Sequence, residues 1–134
     1  MYLDPFRSII RSRTMVNAAA WFMFFLGIAH IIFGLVKFKS PLADAVAAGF
    51  IGKFMLPEAR RTAFWFLIFG PLLMLVGHVA IHAVAEGDLA LLRILGIYGL
   101  ITSVLGAAAF PKSPFWVPLL VSPILIAAGC GFLS

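Results

Sequence analysis

The side chains that could hold a metal or move a proton are few: three histidines, five carboxylates and one cysteine in 134 residues. His78 and His82 stand four apart. On a helix that spacing brings both imidazoles to one face, as two ligands of one metal require. A third ligand is missing. His30 falls near the far end of its own apolar stretch, and His78 near the far end of the next. In antiparallel helices rising ~1.5 Å per residue, that leaves the two roughly 15 Å apart along the axis. Asp4, Asp44, Glu58, Glu86 and Asp88 all lie in connections between apolar stretches. The residues therefore predict no metal site. Cys130 can form neither an intrachain disulfide nor a Cys-based zinc site, and reads as a small core residue.

His30 is the more informative histidine. Gly27 and Gly34 stand three and four residues to either side of it, which strips bulk from the helix face around the imidazole. Such a gap suits a ligand, or a flat cofactor such as haem with His30 as its axial ligand. It suits equally the close approach of a second helix. An ionisable group at this depth in an apolar run is a functional candidate by default. Arg61 opens the next long apolar run and could orient a polar group, with Trp65 four residues on. His30, Gly27, Gly34, Arg61 and Trp65 form the candidate ligand-binding set. The chain shows no nucleophile–base pair and no paired carboxylates, so no catalytic set can be assigned.

These residues sit in an unusual medium. Hydrophobic residues are 63% of the chain, charged residues 11%, and the mean hydropathy is +1.12. So few charges cannot coat a soluble globule. The spacing predicts an all-α polytopic membrane protein with four transmembrane helices, at about 15–36, 62–85, 92–110 and 115–133. Backbone polar groups in hydrocarbon need partners within their own segment, which makes each span a helix. Two short interfacial helices are expected as well. One follows Asp4-Pro5, an N-cap acceptor and a preset φ. The other starts at Ser40-Pro41, with Leu42, Ala45, Val46, Gly49 and Phe50 at helical spacing. Pro71, Pro118 and Pro123 should bend their spans. The net charge of +5 resides at the ends of apolar runs, where anionic headgroups explain it and nucleic acid does not. Arg7, Arg11 and Arg13 precede the first run, but Met15 to Val36 exceeds the roughly 7–15 residues of a signal-peptide core, so it reads as a retained span. Basic residues divide nearly evenly between the two sides of a four-span chain, which leaves orientation open.

Small residues should set how the helices meet. The third span offers Gly96, Gly99, Ser103 and Gly106 on one face, the second Gly70 and Gly77, and the first Gly27 and Gly34. Each face serves either the interior of a bundle or a seam between copies. The lack of a membrane-embedded carboxylate argues against a cation-coupled multidrug transporter.

The run Gly27, His30, Gly34-Leu35, Phe38, Pro41-Leu42 and Gly49, and then Arg61 through Gly70, resembles a family of small bacterial membrane proteins, domain of unknown function 6463. Gly96 and the stretch Pro111 to Trp116 continue the likeness, which covers most of the chain beyond Val16. Pro114 departs from it, standing where a glycine is expected before Phe115-Trp116. The resemblance implies four helices in a bacterial inner membrane and supplies no activity. Two functions follow from the residues. One is a protein that binds an apolar small molecule or lipid, or acts as a homo-oligomer or accessory subunit of a larger membrane complex. The other is a small isomerase-like membrane enzyme with a lipophilic substrate, in which His30 is the acid–base group or cofactor ligand.

Overall fold

The computed structural model describes residues 5–133, with side chains placed from Arg11 onward. Among the described residues the chain is helical, with no strand. Helix α1 runs 33 residues, Pro5–Lys37. The expected short N-terminal interfacial helix is instead the first part of α1. No glycine or proline lies between Phe6 and Leu26, so nothing removes a backbone donor or favours a left-handed turn there. The Asp4 cap and the side-chain face of Phe6, Ile9 and Ile10 lie outside the described residues.

What stops α1 is Pro41. Its missing N–H would have bonded the carbonyl of Lys37, and its ring crowds that carbonyl. The chain accordingly breaks at Phe38 and restarts as α2, Lys39–Ala47, the expected helix between the first two spans. Pro41 is harmless inside the first turn of α2, where N–H groups have no helical partner in any case. The helix ends before the Gly49 and Phe50 that the spacing had included, because both take positive φ, 102° and 60°. A turn-rich connection then leads to α3, Glu58–Glu86, which continues through Pro71. Gly87, at φ 70°, turns the chain into α4, Leu89–Ala109, capped by Asp88 Oδ1 accepting from the Leu91 N–H at 2.9 Å. A turn held by Ser113 Oγ donating to the Phe110 carbonyl (2.6 Å) and Trp116 Nε1 donating to the Pro111 carbonyl (2.8 Å) leads into α5, Trp116–Gly129.

Among the described residues three helices are long and apolar enough to cross a membrane: α1 from Arg11 to Lys37, α3 and α4. The fourth expected span, 115–133, is only partly helical. Helix α5 has 14 residues, about 21 Å against a hydrocarbon core of roughly 30 Å. It is short because the chain turns at Cys130 and Gly131, the latter at φ 79°.

The chain divides into two compact units, residues up to Met23 together with those from Val76, and Phe24–Leu75. In the first, α4 and α5 form an antiparallel hairpin sealed by small residues. A Cβ added at Gly96 would come within 2.9 Å of the Ser122 carbonyl oxygen, and one at Gly99 within 2.6 Å of Ser122 Oγ. Gly106 lies against the Phe115 ring, and Gly129 against Leu89 and Arg93. Ser103 is fully buried and bonds its own helix at the Leu100 carbonyl (3.0 Å). The small face of the third span is thus taken up inside the chain. In the second unit, α1 and α3 cross at glycines, and α2 contributes the buried Ala45.

Candidate functional site

All five candidate residues lie in the second unit, Phe24–Leu75. They fall into two groups. Gly27, His30 and Gly34 form the crossing of α1 with α3. A Cβ at Gly27 would sit 2.6 Å from Met74 Cγ and 2.7 Å from the Gly70 carbonyl oxygen. At Gly34 it would sit 2.7 Å from Leu67 Cδ2. On the other helix Gly70 abuts Ile31. The space that the glycines clear on each side of His30 is therefore filled by α3, which approaches backbone to backbone.

His30 itself grips one residue twice. Its ring stacks on the Phe66 ring with centroids 4.0 Å apart and planes 11° apart. Its Nε2 lies 2.9 Å from the Phe66 carbonyl oxygen. A carbonyl only accepts, so Nε2 carries the proton and donates, and in the neutral ring Nδ1 is the acceptor. The Phe66 carbonyl can serve both this bond and its own helix because it has two lone pairs. Phe33 and Phe38 pack around the same ring at 6.0 and 5.2 Å, and Lys37 Nζ stands 5.5 Å over Phe33.

Arg61 and Trp65 lie instead on a groove. With Gly52, Phe54, Met55 and Phe64 they enclose about 240 Å³. Arg61 is the charged member of that lining, and it bonds Glu58 at 3.2 Å across an exposed pair. Beside it a larger groove of about 310 Å³ is bounded by α1 (Ile31, Leu35), the α2 region (Leu42, Phe50, Phe54) and α3 from Phe64 to Pro71. Phe54 and Phe64 line both grooves. The larger lining carries no polar side chain.

The stretch holding this crossing, both grooves and the α4–α5 hairpin, residues 14–130, matches the model described as Family of unknown function (DUF6463). The chain belongs to that family. No curated protein and no solved structure matches it.

In this DUF6463 chain the neighbourhood of His30 does not fit a haem. An axial imidazole offers a nitrogen lone pair to the iron and needs room for a flat macrocycle beside it. Here Nε2 donates to Phe66, the Phe66 ring covers one face, and α3 fills the glycine gaps. An acid–base role for Nε2 would likewise have to break that bond. Among the described residues no group of three or more His, Cys, Asp or Glu gathers to hold a metal. His78 and His82 are exposed on α3. Cys130 is exposed just past α5 rather than in a core, because the turn at Gly131 carries it off the α4 seam.

Two residues at the centre of the geometry are outside the candidate set. Phe66 was legible in principle: Ala63, Phe66, Gly70 and Met74 recur at helical spacing on the face that carries the crossing glycine. Phe54 was not, since it lies in a connection without periodicity.

Proposed function

We propose that the chain is an integral membrane protein with four crossing helices that holds the acyl chain of a membrane lipid in the groove between α1, the α2 region and α3. The groove carries this reading. Its roughly 310 Å³ lies at the lower end of the range for small-molecule sites. Its wholly apolar lining suits a hydrocarbon chain and gives a polar substrate nothing to bond. His30 is then the clasp that fixes α1 against α3 and so sets the groove's width.

The fourth crossing is α5, packed along α4; it is short for a span at 14 residues, and the bilayer thins locally to meet it. At ~1.5 Å per residue α1 is about 50 Å long, so its arginine-bearing start extends past the hydrocarbon into headgroups. Likeness to small bacterial membrane proteins favours a bacterial inner membrane as the location.

The test is retention of lipid. Ile68, on the larger groove, is partly exposed, so Ile68→Trp fills the groove without entering the α1–α3 crossing. Ile97→Trp, at an exposed position on α4, is the control. After purification in mild detergent, mass spectrometry should find lipid on the parent protein and on Ile97→Trp, and much less on Ile68→Trp. Equal retention by both variants, or co-purification of a protein in place of lipid, would remove this reading.

A further inference from the structure

The two grooves adjoin at the packed rings of Phe54 and Phe64, which line both, and Arg61 lines the smaller. We infer that the lipid bound here is an anionic phospholipid, its phosphate held by Arg60 and Arg61 at the start of α3. This rests on the acyl-chain reading above and adds the headgroup to it.

Four observations carry the assignment. Arg61 is the charged residue in a lining otherwise made of Gly52, Phe54, Met55, Phe64 and Trp65. A guanidinium has five N–H donors in a fixed fork, and the bond to Glu58 uses one nitrogen at 3.2 Å, with both side chains exposed. An exposed pair of that kind is weak and yields readily to a phosphate, which a guanidinium can meet with two parallel bonds. Arg60, the preceding residue, lines neither groove, and its Nε is shut off from solvent without a hydrogen-bond partner, so its terminal nitrogens, not Nε, are the donors it offers to a phosphate at Arg61. Finally, the segment from Gly52 to Trp65 holds three cations, Lys53, Arg60 and Arg61, against the single carboxylate Glu58. The excess charge is positive where a headgroup would lie. Free phosphate would satisfy the arginines but gain nothing from the aromatic and methionine side chains beside them. The lining therefore selects an amphiphile.

Trp65 reports on the site because it lines the same groove as Arg61. In full-length protein carrying Trp21→Phe and Trp116→Phe, quenching of Trp65 by brominated phosphatidylglycerol is compared with quenching by brominated phosphatidylcholine, at matched mole fractions in bilayers. We expect phosphatidylglycerol to be favoured about fivefold per engaged arginine, from the attraction of a basic residue to anionic headgroups. Arg60→Gln and Arg61→Gln should each reduce the preference, and the double variant should abolish it. Lys112→Gln, in the α4–α5 turn, should leave it unchanged. An undiminished preference in the double arginine variant overturns the assignment. So does an equal fall in Lys112→Gln, which would signal general surface attraction, or loss of the preference on adding inorganic phosphate, which would make the ligand a free ion. Failure of the acyl-chain reading looks different: Ile68→Trp would then leave the retained lipid unchanged whatever its headgroup.

Discussion

The clasp at His30 makes a graded prediction. His30→Ala removes a hydrogen bond and a ring stack together. Interhelical hydrogen bonds within membranes contribute about 0.6 kcal/mol on average and up to about 1.7. An aromatic pair contributes about 0.5–1.5 kcal/mol beyond its buried area. Loss of both therefore costs ~1–3 kcal/mol, a fall in Tm of very roughly 4–12 °C for a chain of this size. His30→Phe keeps a ring against Phe66, 4.0 Å away in the parent, and deletes the donor, so it should cost only the hydrogen-bond share. Phe66→Leu keeps the hydrogen bond, because the acceptor is the backbone carbonyl of residue 66, but loses the ring contacts to Phe33 and Phe38 together with the stack. His30→Ala should thus cost more than His30→Phe, by about the stacking share. Thermal unfolding in a fixed detergent, read alongside lipid retention by mass spectrometry, measures both. Retained lipid should persist in His30→Phe, since the larger groove is lined by other residues. If His30→Ala loses its lipid at unchanged Tm, the imidazole is a ligand contact and the clasp reasoning fails.

Other expectations follow from single contacts. Gly96→Ala should cost about 1–3 kcal/mol as an overpacked seam, and more than Gly99→Ala. A Cβ at Gly96 meets the backbone of Ile126 and Ser122, whereas one at Gly99 meets the Ser122 side chain, which can turn away; equal Tm values would refute the distinction. Asp88→Ala should lower stability by about 1 kcal/mol through loss of the α4 cap, while Asp88→Asn, which keeps the acceptor, should recover most of it in the same melt. Reporter fusions at Lys53, Asp88 and Lys112 should place Asp88 across the membrane from the other two, because α3 and α4 are continuous helices between these points. Asp88 and Lys53 on one side would be incompatible with α3 as a span.

The helical content and the three long spans were legible because apolar runs, bounded by charges and turn residues, state their length directly. Where the helices stop was harder. The Pro41 break was readable from the donor that proline lacks, but the continuation of α1 through Arg13 was not. Charged residues predict depth in a membrane and say nothing about whether the backbone pauses there. The glycine faces were readable as places of close approach, yet glycine spacing alone does not say what approaches. Gly96, Gly99 and Gly106 meet α5, and Gly27 and Gly34 meet α3, so a gap that suited a ligand on one helix is filled by side chains of another. For the same reason the candidate set divided. Gly27, His30 and Gly34 share the crossing, while Arg61 and Trp65 share a groove whose other walls come from a connection with no period to read.

That connection links the proline break to the groove. Pro41 ends α1 at Lys37, α2 follows, and the positive φ of Gly49 and Phe50 then sends residues 48–57 through a turn-rich path; non-helical backbone cannot lie bare in hydrocarbon. On the reading proposed above, the segment then sits at headgroup depth, with Ile51, Met55 and Leu56 strongly exposed. Apolar side chains on a backbone held at that depth insert toward the acyl region, which is where Phe50 and Phe54 close the larger groove against α3. On the reading proposed above, the same constraint would set the height of the first turn of α3, and with it Arg60 and Arg61. The break at Pro41 and the positive-φ turn at Gly49 and Phe50 would then together place the apolar groove and the two guanidinium groups across the boundary where a phospholipid changes from chain to phosphate.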